Sequence, residues 1–525
     1  MRSSALSRVW YFLSGTREYA FSGPPRYLKF RSSSAFIIIT VCLAIFTDIL
    51  FYGLIVPVIP FSLTDRVGVP EDSVQRWTAI LLACYNVTLF LGSPLAGIYA
   101  DRTASRRLPF LLGLLALAGS TLLLCLGRSV AVLIIGRLLQ GLSAAIVWSV
   151  GLALLVDTVG RNVGYAMGWV TIAMSAGLLI SPVIGGAVYA AAGYYAVFYV
   201  AFGVIFCDIV LRLVLVEKKV ARQWIVDHEA EVESQQRGAS VDEPGSSLRV
   251  KDMPSPGEGD VSLVVRESPA GPTGFSHQTP TPRDDQDDPT PQTVESEKMP
   301  PYLRLLKSRR LLAALFGCFI QAGIMFSFDT VVPLFVKDTF HWSSTAAGLV
   351  FMCIMVPSLC SPFVGILSDR FGAKWPALAG FLVTIPLLVC LRFVTNNTIG
   401  HKVLFGALLA LVGLCCTFAN TPLMAEITYG IEAKEAKHPG IWGEKGVYGI
   451  GYGLYTTSYA FGGTAGSLMA GYIQAGPGWG TATWSLAIWC AVGTFVVAFW
   501  VGGKPIRHTL ETGRFNQASS PGGVA

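Results

Sequence analysis

Twelve apolar runs, each long enough to cross a bilayer, constrain this chain more than any other feature. A helix rises about 1.5 Å per residue, so a hydrocarbon core of about 30 Å takes about 20 residues. The runs lie near residues 35–61, 78–100, 108–127, 130–156, 164–188 and 195–215, then 310–335, 344–367, 376–394, 402–426, 446–473 and 481–501. The expected fold class is therefore an all-α integral membrane protein with twelve transmembrane helices in two six-helix halves. Charge agrees: only 14% of the 525 residues are charged and 52% are hydrophobic, against roughly 25% charged in a soluble domain. A soluble enzyme is excluded.

Lys and Arg are retained on the cytoplasmic side of a membrane. With the N-terminus inside, the inner segments collect Arg17, Arg26, Lys29, Arg31, Arg102, Arg106, Arg107, Lys218, Lys219, Lys307, Arg309, Arg310, Arg370, Lys374, Lys504 and Arg507, whereas the outer loops hold few, such as Arg66, Arg128 and Lys402. Both termini are expected in the cytoplasm, with the protein in the plasma or vacuolar membrane. The net charge of +6 expresses this bias, and nothing in it points to nucleic acid. No cleavable signal is evident, because the first apolar run is full length and begins after more than thirty polar and basic residues.

Composition divides the chain into a tail (1–34), a first half (35–215), a linker (216–303), a second half (304–502) and a tail (503–525). The linker, with SPGEGD and QTPTPRDDQDDPTPQTVESE, is too poor in apolar residues to bury a core, so we read it as disordered, cytoplasmic and open to phosphorylation. Asn396 opens a glycosylation sequon in a short outer loop, and Asn86 opens one inside a span, beyond the modifying enzyme's reach. All eleven cysteines fall in or beside apolar runs, where they read as small packing residues. We expect no structural disulfide, no metal, no cofactor and a monomer.

Two stretches look like copies, SPLAGIYADRTASRRLP after the second span and SPFVGILSDRFGAKWP after the eighth. Pro94, Gly97, Asp101 and Arg102 correspond to Pro362, Gly365, Asp369 and Arg370 at one constant offset, which nearly carries Asp157 onto Glu426. Such repeats build many transporters, with the substrate site between the halves near the midplane.

GIYADRTASRR resembles the signature loop Gly-x-x-x-Asp-Arg-x-Gly-Arg-Arg of the major facilitator superfamily, departing by one inserted residue and by Ala104 and Ser105 where Gly is usual. LIIGRLLQGLSAA, with Arg137, Gln140 and Gly141, is similar to the fourth-span motif. SAGLLISPVIGG, with Gly177, Pro182, Gly185 and Gly186, resembles the antiporter motif of the fifth span, although Ser181 replaces the usual Gly. TDILFYGLIVPVIP resembles the first span of drug:proton antiporters and vesicular amine transporters, with Asp48 at the acidic position. The resemblance covers both halves and implies a twelve-span secondary transporter. In the resembling antiporters the Arg that matches Arg137 is assigned a role in proton transfer.

An ionisable side chain at the bilayer centre costs about 3 kcal/mol on insertion scales, so each is a functional candidate. Asp48 lies midway along the first span, roughly 20 Å deep. It is placed to bind a cationic amine or carry a proton, the alternative being an ion pair that fixes helix packing. Arg137 is long enough to approach Asp48 or a carboxylate of the seventh span; an Arg beside a carboxylate lowers its proton affinity, which offers a coupling device. It also reads as a structural hub. Gln321 lies at the depth the repeat assigns to Asp48, with Asp329 nearer the outer face. Gln321, Asn420 and Asn86 read as hydrogen-bonding groups for substrate or as ties between helices. The six histidines all lie in loops, tails or the linker, so any proton coupling uses carboxylates.

Asp101, Arg102, Arg106, Asp157, Asp369, Arg370 and Glu426 gather at the cytoplasmic ends of helices, where opposite charges would lock the halves together when the protein faces outward. Ordinary loop charges are the alternative. Gly-rich stretches in spans five and eleven read as close helix packing, and Tyr448, Tyr452 and Tyr455 share one face of span eleven, as an aromatic wall or as core. No Walker sequence occurs, so transport would draw on a gradient. The expected function is proton-coupled export of small organic molecules such as amines, drugs or secondary metabolites; a nutrient facilitator or symporter, and a non-transporting nutrient receptor, remain as alternatives. Deleting residues 230–295 while leaving a short flexible tether should preserve folding and transport, as flux by a correctly localised deletion protein will show.

Overall fold

Local capping signals turn the apolar runs into helices with defined ends. The computed structural model describes residues 27–224 and 300–502, except positions 56, 57, 104, 161, 223, 343, 444 and 445. The first half contains α1 (Ser34–Ile55), α2 (Glu71–Arg102), α3 (Arg107–Leu126), α4 (Val130–Val159), α5 (Val163–Ala192) and α6 (Tyr194–Val214). The second contains α7 (Arg309–Phe340), α8a (Ser344–Met355), α8b (Ser361–Phe371), α9 (Lys374–Leu391), α10 (Ile399–Lys437), α11 (Tyr448–Ala475) and α12 (Trp479–Trp500). Hydroxyl side chains of Ser129, Ser308 and Thr398 accept from backbone N–H groups in the first turns of α4, α7 and α10, satisfying donors that a helix start leaves orphaned. Eleven helices among the described residues are long and apolar enough to span a membrane. The twelfth span is α11, 28 residues long and made less apolar by its Gly and Tyr.

Three boundaries depart from the sequence reading. The eighth span is broken, because Val356–Cys360 is a tighter turn holding Pro357, which lacks the N–H that a continuous helix uses. α10 continues to Lys437 rather than ending near 426: its last turns are polar but docked, with Lys434 Nζ donating to Arg304 O at 2.7 Å and the Trp442 indole donating to Ile431 O at 3.1 Å. Residues 216–222, expected in the linker, are packed: buried Glu217 accepts from Ser105 Oγ at 2.6 Å and Arg107 N at 2.8 Å. Hydropathy cannot see segments held by polar contacts. Residues 225–299, most of the expected linker, lie outside the described residues, as do 1–26 and 503–525 of the tails.

Within each half the bundle follows the repeat, α1 packing on α5 and α2 on α4 as α7 packs on α11. Outward faces carry apolar side chains such as Leu95, Leu115, Phe206, Phe363 and Phe499. The halves meet along two seams, α2 against α11 and α5 against α8b. Both lie near the end where Tyr27 and Gly502 are found, called here the tail-side end. Glycines make the seams close: a Cβ on Gly97 would collide with the backbone of Gly449, and one on Gly365 with the backbone of Gly164 and Tyr165. Further along, Gly168 faces Pro362 and Gly453 faces Ser93 in the same way. Because backbone rather than a movable side chain lies opposite, Gly365→Val should hold the tail-side seam open. A single-cysteine reporter at the tail-side end should then react faster with a water-soluble maleimide than in the parent protein.

Candidate functional site

Neither α5 nor α11 caps its own N-terminus. Asn162 and Val447, the residues before them, make no side-chain cap bond. The cap comes instead from the opposite half. Asp101, at the end of α2, accepts from the backbone N–H of Gly449 and Ile450 of α11, each at 2.8 Å. Asp369, at the end of α8b, accepts from Gly164 N at 2.7 Å and Tyr165 N at 2.9 Å of α5. Each carboxylate therefore takes two orphan donors at the positive end of a helix dipole, through charge-assisted bonds roughly twice as strong as neutral ones.

The ion pairs expected to bridge the halves lie within them. Arg106 binds Asp157 at 2.6 Å and Asp101 at 3.3 Å, all in the first half. Burial alone would lower the pKa of Arg106, but Asp157 and Asp101 outweigh it and raise the pKa above its ordinary value. Arg310 of α7 forks onto Glu426 of α10 at 2.5 and 3.0 Å, in the second half. The two copies differ at the cap: Asp101 is braced by Arg106, Asp369 by the Tyr429 hydroxyl at 2.5 Å. Arg102 is exposed, and Arg370 lies over the Phe371 ring at 5.4 Å.

Beyond the caps the seam continues through a Thr171–Thr421 hydroxyl contact at 3.1 Å and then parts into an open cleft. Its walls come from α5, α7, α8a, α10 and α11, and include Gln321, Asp329, Asn420, Met174, Met325, Met355, Phe326 and Tyr459. Asp329 is exposed there. Gln321 Oε1 and Asn420 Oδ1 are buried without a hydrogen-bond partner. The wall thus offers one carboxylate and two unpaired acceptors among aromatic and thioether groups, a setting for a cation. Tyr452 and Tyr455 are fully buried in the core, and Tyr459, one turn further on, is the tyrosine of α11 that lines the cleft.

Asp48 is elsewhere. It is fully buried inside the first half, its Oδ2 accepting from Trp148 Nε1 at 2.9 Å and Tyr85 OH at 3.4 Å, while Oδ1 has no partner. Arg137 is also fully buried and donates to Gln140 Oε1 at 2.9 Å. It does not pair with Asp48: the rings of Tyr52 and Tyr85, tilted at 40° with centroids 4.7 Å apart, intervene, with the guanidinium 5.9 Å from the Tyr52 ring. The fifth-span motif packs α5 on α1, since a Cβ on Gly177 would meet Ile49 and one on Gly185 the Leu54 backbone. Gly186 has open space, and buried Ser181 leaves its hydroxyl unpartnered.

The sequence reading missed Trp148, Tyr85 and Tyr459, for which the signal was an aromatic residue with a polar tip in mid-span, where its N–H or O–H needs a partner. It also missed Asp208 and Arg212, a fully buried pair at 2.7 Å whose spacing of four residues places both on one face of α6. Asp101→Asn keeps the size and one acceptor oxygen of the cap on α11 but removes its charge. It should weaken the tail-side closure by about 1–2 kcal/mol, a five- to thirtyfold change in population. Cysteine accessibility from the tail-side end should rise accordingly, and rise further with Asp369→Asn added.

Residues 41–438 match the family model described as Major Facilitator Superfamily. An uncharacterized MFS-type transporter, C18.02, of Schizosaccharomyces pombe is 33% identical over 85% of this chain and 91% of its own length. A shorter match, 32% identical over 34% of this chain and 38% of the relative, is to a probable vesicular acetylcholine transporter-B of Danio rerio. The solved structure of the human organic anion transporter MFSD10 (TETRAN) superposes with a TM-score of 0.58 at 15% identity, over 88% of this chain and 99% of that one, a likeness of fold.

Proposed function

Because the chain belongs to the Major Facilitator Superfamily, and is a multi-pass membrane transporter of a small molecule rather than an enzyme, we propose that it exports an organic cation in exchange for protons. The observation that carries this reading is the cleft between the halves, where exposed Asp329 stands with the unpaired acceptors of Gln321 and Asn420 beside Phe326 and Tyr459. An ammonium group supplies the donors and the positive charge that such a wall lacks. The kinship with a vesicular acetylcholine transporter supports the same class of substrate. The excess of Lys and Arg at the tail-side end supports a cytoplasmic location for that end, so a structure closed by Asp101 and Asp369 faces outward.

In this reading Asp48 and Asp329 divide the work. Asp329 meets the substrate in the cleft. Asp48, sealed on Trp148 and Tyr85, takes and releases the proton as the first half rearranges, and Arg137 acts on it across the Tyr52–Tyr85 pair. Release of the two caps opens the tail-side end and presents the cleft to the cytoplasm.

Reconstituted into proteoliposomes with an imposed pH gradient, the protein should drive a labelled organic cation uphill. Asp329→Asn should abolish binding and flux together. Asp48→Asn, which keeps shape and is cheaper to bury, should abolish uphill movement while leaving exchange of substrate across the membrane. Flux indifferent to the gradient would make the protein a facilitator, and no flux with retained binding would make it a receptor. Uphill transport with unchanged pH dependence in Asp48→Asn would make Asp48 a packing residue.

A further inference from the structure

The second half begins with a segment that transport leaves unused. Pro301–Leu306 is a short helix held to the bundle by buried Leu305, while Tyr302, Leu303 and Leu306 are exposed. Arg304 donates from Nη1 to Ile441 O at 3.3 Å. Lys434 of α10 donates from Nζ to Arg304 O at 2.7 Å and lies over the Trp442 ring at 5.2 Å.

Three cations meet here without a counter-charge. Among the described residues, the ion pairs at or within 4.0 Å join Arg106, Arg212, Lys219 and Arg310 to carboxylates and include none of Arg304, Lys307 and Lys434. Burial, then the charges of Arg304 and Lys307 beside it, lower the pKa of Lys434 below its ordinary value. The neighbouring Glu435 is engaged elsewhere, its Oε1 accepting from Gly440 N at 2.7 Å. The group is open to a ligand: Lys307 is exposed, Arg304 and Lys434 are half-buried, and Lys434 uses one of its three donors on protein.

Its level in the membrane follows from the helix ends. Arg310 and Gly502 N both bind Glu426, so the start of α7, this point of α10 and the end of α12 lie together. Phe499 and Trp500, exposed on the last turn of α12, mark the interface there, where aromatic rings gather. Lys307 precedes Arg310 by three residues, and Lys434 follows Glu426 by about two turns, so the cations stand on the water side of that level.

We propose that Arg304, Lys307 and Lys434 bind the phosphate of an anionic phospholipid headgroup, with Tyr302, Leu303 and Leu306 at the boundary of its acyl chains. A lipid fits better than a free phosphate or a phosphorylated peptide, because the cations stand beside exposed apolar side chains that a hydrated ligand would leave uncovered. The bound lipid ties the segment before α7 to the extension of α10 and, through Ile441 and Trp442, to the loop that leads into α11.

The test is native mass spectrometry of the full-length protein in detergent, with phosphatidylserine and phosphatidylcholine of the same acyl chains competing at equal concentration. Phosphatidylserine should bind preferentially and saturably, and the preference should weaken as salt rises. Lys307→Gln, which removes an exposed side chain that makes no side-chain hydrogen bond among the described residues, should weaken phosphatidylserine binding about fivefold, the effect of one basic residue at an anionic surface. Gln at all three positions should abolish the preference, and Lys374→Gln, at the start of α9 and outside the group, should leave it unchanged. Equal binding of the two lipids to the parent protein, or equal losses in Lys307→Gln and Lys374→Gln, would overturn the proposal. Displacement of the lipid by an equal concentration of inorganic phosphate would make this a free-anion site, and binding of a phosphorylated linker peptide without any lipid preference would assign it to the linker; either result also overturns it. None of these readouts involves flux, so the result is separate from the test of the cation-export reading.

Discussion

The closed end of this bundle depends on two carboxylates that serve as helix caps for the wrong half of the molecule. α5 and α11 begin without a capping side chain of their own, and Asp369 and Asp101 supply the missing acceptors from across the seam. An uncapped helix start buried against another element is costly, because its N–H groups lose water without gaining partners. Closure therefore satisfies four backbone donors at once, and opening must return them to water. The seam glycines permit this geometry, since only backbone without a Cβ lets α2 approach α11, and α8b approach α5, closely enough for the carboxylates to reach.

Such a lock suits a device that must open. Ion pairs between the halves would need two long side chains held in register, at an entropic cost and with sensitivity to salt. A short Asp side chain on a fixed helix end meets fixed backbone donors, so little is ordered when the bond forms. The longer charges serve each half internally, Arg106 bracing Asp101 while itself held by Asp157, and Arg310 holding Glu426. Each half can then move as a body while its own ion pairs persist.

Polar groups inside the membrane fall into two environments that the fold keeps apart. On the cleft, Asp329 is exposed, and Gln321 and Asn420 each hold a buried carbonyl oxygen without a hydrogen-bond partner. Those inside the first half, Asp48, Tyr85, Trp148 and Arg137, are sealed from it, and two tyrosine rings separate the negative group from the positive one.

How much of this was legible beforehand depends on the range of the forces involved. Span number, the repeat of Pro94 to Arg102 in Pro362 to Arg370, and the presence of costly side chains such as Asp48 and Asp329 follow from hydropathy and spacing along the chain, because insertion into a bilayer acts on each segment by itself. The polar extension of α10, the docking of Glu217 and the break at Pro357 were less visible, since they depend on neighbours rather than on hydropathy. Which residue each charge meets was not visible at all. Nothing local distinguishes Asp48, sealed against an indole, from Asp329, exposed in a cleft, nor shows that Asp101 would cap a helix more than three hundred residues away. Sequence by itself determined a twelve-helix membrane bundle with two related halves. Only the tertiary structure decided which carboxylate faces the cleft and which is buried, because that depends on how twelve helices rotate and pack against one another, and every rotation about a helix axis leaves the sequence unchanged.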